Sequence, residues 1–242
     1  MLLFVSSSLP NTVGELINKS KLYLSPSIEA LRRLLEVCER YALTHGLLYN
    51  VKKSVFMVFG VTAKGHRAVP SVYLYGVALN RVPCFRYLGH ILVEDLNDDQ
   101  DIERERRALS VRCNMLARRF AKCTRPVKIT LFKAYCQSFY TCSLWVGHTQ
   151  RAYNALRVQY NNAFRVLLGL PRFCSASAMF AESTTDSFSA IMRKRTASLL
   201  RRIRGSANGI LRVIGERLDG VFLEYWTRMH TYGSDAAGKY MN

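Results

Sequence analysis

The feature that most constrains the fold is a change of periodicity at Asp95-Leu-Asn-Asp-Asp-Gln-Asp101. Before it, apolar residues come in short runs bounded by glycine and proline, the pattern of strands. After it, they recur at three- and four-residue intervals over long stretches, the pattern of amphipathic helices. A chain patterned this way separates strands from helices, so an α+β fold is expected. The acidic turn marks the boundary and places aspartates where a following helix favours them.

The first part reads as one helix with a small sheet. Residues 1–5 form a short apolar strand. Ser6 to Ser25 is polar, with a short helix near Val13 to Asn18. Ser25-Pro26 is a good helix start, and Ile28, Leu31, Leu35, Cys38 and Ala42 follow on one face. Gly46 sits where that helix should stop. Val55 to Phe59 is a buried strand ended by Gly60. Val72 to Tyr75 and Val77 to Leu79 pair around Gly76, and one further strand runs from Phe85 to Val93.

The second part reads as helices. Ile102, Leu109, Leu116 and Phe120 mark the first. Pro126 opens the second, with Leu131, Tyr135, Ser138, Cys142 and Trp145 on one side. A third spans Gln150 to Leu168 and is stopped by Gly169 and Pro171. A fourth covers Ser187 to Arg204, and a last one runs from Ile210 to Met229. Trp145 and Trp226 fall on apolar stripes and are expected in the core.

Charge is the other strong constraint. The 242 residues carry 35 Lys+Arg against 17 Asp+Glu, a net charge of +18. Residues 1–95 hold 11 against 6, a net +5, and residues 96–242 hold 24 against 11, a net +13. From Arg106 to Ala181 there are 13 basic residues and no acid. Such a stretch points to a polyanionic partner. No segment reaches the ~18 apolar residues of a membrane span, and the N-terminus lacks the basic region and cleavage site of a signal peptide. The seven cysteines have neither Cys-x-x-Cys nor zinc-finger spacing and read as reduced thiols of an intracellular, nuclear or cytoplasmic protein. No metal site is expected. His90 and His148 lack both ligand spacing and catalytic partners, and have no assigned role.

Several residues together suggest a family. A helix ends at Gly46. Asn50-Val-Lys-Lys53-Ser54 opens an apolar strand, a tyrosine-rich strand pair follows, then Phe85-Arg-Tyr87-Leu88-Gly89, then basic helices. This order resembles the reverse transcriptases of non-LTR retrotransposons, the LINE-like elements of the Jockey kind. The likeness covers about residues 1–170 well and continues more loosely to about residue 215. It implies a polymerase palm remnant over 1–95, a thumb-like helical region over 96–170 and a post-thumb helical region over 171–242. In that family a Tyr-Ala-Asp-Asp hairpin closes the palm, and an apolar run like Met1-Leu-Leu-Phe-Val5 follows it. The resemblance therefore places the catalytic carboxylates before Met1. It makes the chain a 5′-truncated fragment that lacks the metal-binding active site and is inactive alone as an RNA-directed DNA polymerase. Mg²⁺ is implied only for the intact parent enzyme.

The same resemblance assigns site residues. Lys53, beside Lys52, matches a lysine near the phosphates of the incoming nucleotide, where a cation would stabilise the leaving group. Phe85, Tyr87, Leu88 and Gly89 match the primer-grip hairpin, with Tyr87 and Leu88 expected on opposite faces of a strand. Arg112, Arg118, Arg119, Lys122, Arg125, Lys128 and Lys133 match a thumb that holds a duplex through sugars and phosphates. The implied partners are an RNA template and a DNA primer, or an RNA–DNA duplex. No membrane and no small-molecule substrate are expected. The aspartates at 95, 98, 99 and 101 read as a solvated turn and helix cap, neutralised by Arg104, Arg106 and Arg107. Two alternatives stay open: a stand-alone basic nucleic-acid-binding module, and a non-functional pseudogene product.

Overall fold

The computed structural model describes residues 2–9, 20–60, 69–217 and 220–231. It combines strands and helices, an α+β chain, in two compact units, Met1–Asn97 and Asp98–Asn242. The short helix expected near Val13 to Asn18 lies outside the described residues.

The first unit is a sheet with one helix. Strand β1 (Leu2–Leu9) lies between β2 (Ser20–Ser25) and β4 (Val55–Val58), antiparallel to both, with Leu3 opposite Leu24 and Met57. Strand β3 (Leu48–Tyr49) pairs with the end of β1, and β7 (Asn80–Arg81) runs parallel to β4. Helix α1 (Ile28–Thr44) starts two residues later than its sequence signal. Ser25 ends β2 instead, and Ser27 caps the helix by accepting from Ala30 N at 3.1 Å. His45 ends it, followed by Gly46 at φ +63°.

Alternation along β4 decides where the apolar residues go. Phe56 and Val58 join Leu31, Leu35, Ala42, Val72 and Leu74 in one core. Met57 and Phe59 face a second cluster with Val82, Phe85 and Leu92. A strand covered on both faces reads as a continuous apolar run, which is what 55–59 shows.

Two hairpins follow, β5 (Tyr73–Leu74) with β6 (Val77–Ala78), and β8 (Cys84–Tyr87) with β9 (His90–Val93). The first is as expected. The second corrects the reading of 85–93 as one strand: Leu88 (φ +46°) and Gly89 (φ +85°) turn the chain back. Two consecutive positive φ values are what a two-residue type I′ turn requires.

The second unit is helical: α2 (Asp99–Arg119), α3 (Arg125–Cys136), α4 (Gln150–Leu168), α5 (Ala176–Glu182), α6 (Phe188–Arg204), α7 (Gly209–Glu216) and α8 (Val221–Thr231). Leu109, Cys113 and Leu116 of α2 pack with Phe132, Leu156, Tyr160, Phe164, Phe180 and Phe188 in one core. Residues from 96–170 and from 171–242 share that core. Tyr160 is its hub, with the rings of Phe132 at 5.2 Å and Phe180 at 5.3 Å. Its hydroxyl donates to Asp186 O at 2.8 Å and accepts from Gln137 Nε2 at 3.0 Å. A buried phenol held at both lone pair and proton loses little on leaving water.

Three helical expectations change. The helix opened by Pro126 stops at Cys136, so Ser138, Cys142 and Trp145 do not continue its face. Residues 139–149 are irregular apart from one 3₁₀ turn, Cys142–Leu144. The stretch from Ile210 to Met229 breaks into α7 and α8, and α5 was not anticipated.

Candidate nucleic-acid interface

The electrostatics of the helical unit are set by where its few acids go. Three aspartates at the start of α2 fasten the irregular 139–149 segment. Asp98 Oδ2 accepts from Val146 N at 2.8 Å and Gly147 N at 3.0 Å. Asp99 accepts from Thr149 N and Oγ1, both at 2.8 Å. Asp101, fully buried, accepts from Trp145 Nε1 at 2.8 Å, Thr141 Oγ1 at 3.1 Å and Arg104 Nε at 2.7 Å. The reading of a solvated turn holds for Asp95, which is exposed and accepts from Asn97 N at 2.9 Å, but not for Asp98, Asp99 and Asp101. These three are the clasp of a loop, and Asp98 makes no side-chain bond to the helix it precedes. Trp145 is in the core, as expected, but reaches it from an extended loop.

The next acids neutralise the next cations. Glu105, 1 % exposed, accepts from Arg112 Nη2 at 2.5 Å and Arg104 Nη1 at 3.1 Å. Glu103 pairs with Arg106 at 2.6 Å and Arg107 at 2.8 Å. The Arg106 guanidinium, seconded by Arg107, holds the Glu103 carboxyl at about 2 against the opposing effect of its partial burial. Arg112, expected to touch nucleic acid, instead has its charge turned toward a buried carboxylate. A buried carboxylate without such partners would be costly, which explains the inward pull.

From Arg118 to Arg125 the cations face outward. Arg118 and Arg119 are exposed in the last turn of α2, where positive charge suits the helix dipole. Lys122 is exposed in the connection that follows, and Arg125 opens α3. Arg118, Lys122 and Arg125 therefore follow a helix–turn–helix path; they do not form a stripe down one helix. Thr124, the N-cap of α3, makes no side-chain bond to that helix, whose first turn holds no acid. Arg125 approaches Glu182 only to 3.7 Å, with both side chains more than half exposed. Lys128 is half-buried, and Lys133 Nζ donates to Thr184 O at 2.9 Å.

Helix α6 carries a second basic cluster. Ala190, Arg193, Lys194, Ala197 and Arg201 line a shallow groove of about 440 Å³. A neighbouring groove of about 580 Å³ is bounded by Arg201, Arg204 and Trp226. A third, of about 390 Å³, adds Lys133, Lys194 and Arg195. The residues of the first groove fall three, four, seven and eleven positions after Ala190, so its cations and two alanines lie along one helix face. Lys194 is held by Asp186 at 2.7 Å, while Arg201 and Arg202 are exposed. The expected site residues did not include this cluster, although the runs Arg193-Lys-Arg195 and Arg201-Arg-Ile-Arg204 are plain in the sequence.

In the first unit, Lys52 and Lys53 are exposed in a 3₁₀ turn, Val51–Lys53, and not in the strand expected for them. Asn50 causes this by accepting from Lys53 N at 3.2 Å, a side-chain turn that competes with the ladder. Ser54 Oγ donates to Asn50 O at 2.7 Å. Phe85 packs against the Met57–Phe59 cluster. Tyr87 is half-buried, opposite His90 in the β8–β9 register. Leu88 projects from the hairpin tip, 71 % exposed, and Gly89 completes the turn. Because Leu88 lies in the turn, it and Tyr87 do not divide between two faces of one strand.

Burial keeps His148 neutral, lowering its pKa, and its ring stacks on Tyr153 at 5.0 Å. Among the described residues no three His, Cys, Asp or Glu side chains form a group that could hold a metal. No helix among them is long and apolar enough to cross a membrane. No protein-family model, curated protein or solved structure matches the chain.

Proposed function

We propose that this chain is a nucleic-acid-binding portion of a reverse transcriptase of the non-LTR retrotransposon type, corresponding to the end of the palm and the thumb. In this reading the helical unit holds an RNA–DNA duplex through its phosphates, with little sequence preference. The observation that carries it is the sorting of charge: the acids near the start of α2 are spent on the clasp and on residues 104–112, and the cations that follow, Arg118, Arg119, Lys122 and Arg125, are exposed. The order of α1, the Asn50 turn, β4, two hairpins and long basic helices supports the family assignment. Gly89 lets a backbone pass close to the β8–β9 tip, and Lys53 stands exposed beside Lys52.

The chemistry of polymerisation requires paired carboxylates to hold the two ions that activate the 3′-hydroxyl and stabilise pyrophosphate. The aspartates at 98, 99 and 101 already accept hydrogen bonds from loop donors. Primer extension on a poly-A template with Mg²⁺ or Mn²⁺ is therefore expected to give only background. Extension that vanished in Lys53→Ala would instead make this chain a working polymerase.

Binding is tested by salt. Each phosphate neutralised releases a counterion and adds about 0.9 to the slope of log K against log salt. Three to five contacts from the exposed cations correspond to a slope of roughly −3 to −4.5 on an RNA–DNA duplex. A flat response would contradict the reading.

A further inference from the structure

The turn after α4 carries the most exposed large apolar side chain among the described residues, Phe173, at 91 %. Its neighbour Arg172 is exposed as well. The turn is firmly built. Gly169 ends α4 at φ +67°, and Leu170 N donates back to Arg165 O at 2.9 Å. Cys174 N donates to Pro171 O at 3.0 Å, which makes Arg172 and Phe173 the two corner residues of a closed β-turn. The Arg165 guanidinium ties the turn to the helix: Nε and Nη2 donate to Cys174 O at 3.2 and 2.8 Å, and Nη1 donates to Asn162 Oδ1 at 3.0 Å. The phenyl ring itself belongs to none of the hydrophobic clusters. The fold thus presents an aromatic ring in water on a fixed support, and that ring does nothing for the packing.

We propose that Phe173 is a stacking post for an unpaired nucleobase, with Arg172 meeting the adjacent phosphate. This rests on the nucleic-acid reading above and extends it from duplex phosphates to single strands. Charge selects the occupant. The turn lies within the acid-free stretch from Arg106 to Ala181, so a polyanion is attracted to it. A nucleotide offers an apolar π face next to an anionic phosphate, matching a ring and a guanidinium at adjacent corners. Stacking of this kind tolerates any base, because every base has such a face. The fixed turn also avoids the ordering cost that a mobile side chain would add on binding.

The test uses the full chain, a single-stranded oligonucleotide carrying 2-aminopurine, and an RNA–DNA duplex of the same length, titrated at one salt concentration. Phe173→Ala is expected to weaken single-strand binding about 10-fold, roughly 1.4 kcal/mol, and duplex binding less than about 2-fold. Phe173→Trp should restore single-strand affinity, whereas Phe173→Leu, apolar without a π face, should not. The 2-aminopurine quench on binding should be strong for the wild type and lost in Phe173→Ala. Because the ring is 91 % exposed, none of these changes touches a core. Single-strand binding unchanged in both Phe173→Ala and Phe173→Leu overturns the proposal, and duplex binding would then leave the broader reading intact. Rescue by leucine, or equal losses on duplex and single strand, also overturns it. Failure of the wild-type chain to bind either nucleic acid overturns both readings.

Discussion

Both units of this chain are basic, yet they handle charge in opposite ways. In the helical unit the acids nearest its start turn inward: Asp101 and Glu105 are at most 1 % exposed and hold a loop and two arginines. The cations that follow, Arg118, Arg119, Lys122 and Arg125, remain on the surface. In the strand-rich unit, polar side chains mostly tie elements together. Arg32 donates to Ser71 O at 2.7 Å, Glu39 accepts from Tyr75 N at 2.6 Å, and Arg81 pairs with Glu94 at 3.1 Å. Among the described residues, one short turn presents two adjacent exposed lysines, Lys52 and Lys53. On the proposed reading, an excess of positive charge does not by itself make a binding surface; the removal of acids from the face that the cations occupy does.

The largest effect that could break this comparison is on stability. Asp101→Ala leaves Trp145 Nε1 without the buried carboxylate it donates to, removes the Thr141 Oγ1 contact and leaves Arg104 short of a counter-charge. Breaking a buried pair of this kind costs ~3–5 kcal/mol. Urea unfolding should show a loss of that size for Asp101→Ala. Tyr23→Phe, which removes a half-buried hydroxyl with its 3.1 Å contact to Tyr49 in the strand unit, should cost ~1 kcal/mol. Equal losses would mean that the clasp does not organise the helical unit.

Thiol reactivity sharpens the contrast next. Burial pushes the Cys113 thiol up to about 11 and the Cys136 and Cys142 thiols up to about 12. Cys113 Sγ also donates to Ala163 O at 3.2 Å. Reaction requires an accessible thiolate. Iodoacetamide at pH 8 should therefore modify the exposed Cys84 at least ~10-fold faster than these three, read by peptide mass spectrometry. Rapid modification of Cys136 would place it outside the core.

The smallest effect is a pH dependence. Glu103 is held at about 2 in the folded chain and returns to its ordinary value of 4.5 on unfolding. A carboxyl lowered by folding stabilises the fold above about pH 4.5, and that contribution is lost as pH falls through about 2. Glu103→Gln should flatten the acid limb of the urea midpoint within that window, modestly, because the pair is partly exposed. An unchanged limb would show that the Arg106 and Arg107 contacts are not made in solution.

Local signals made some elements legible. Helix α4 was readable from its apolar spacing and from the Gly169 and Pro171 that stop it, and the structure adds Thr149 as its cap. Helix α6 runs nearly as expected, and Ser187 proves to be its cap. The end of α3 was not readable, because the residues that pull 139–149 out of a helix lie about 45 positions earlier, at Asp98, Asp99 and Asp101. Strand β2 was missed because Ser-Lys-Leu-Tyr-Leu-Ser is short and polar, and it becomes a strand by pairing with β1. In the candidate interface, the exposure of Arg118 and Arg119 followed from their helical positions, whereas Lys122 is exposed in the connection after the helix. The inward turn of Arg112 did not follow from its position, since it depends on Glu105 being buried. The turn at Lys53 was hidden in the side chain of Asn50, and Phe173 gave no sign because nothing in a sequence distinguishes a projecting ring from a packed one.

The central claim is that nucleic acid runs along the outward-facing cations of the helical unit and not along every basic residue. Two charge reversals test it directly: Arg118→Glu with Lys122→Glu, against Lys52→Glu with Lys53→Glu. All four side chains are exposed, so neither pair disturbs a core, and both change net charge equally. In a fluorescence-anisotropy titration of an RNA–DNA duplex at matched salt, the first pair should weaken binding at least ~10-fold more than the second. Equal losses would mean that attraction to the duplex is diffuse, and would contradict the assignment of the helical unit as the binding surface.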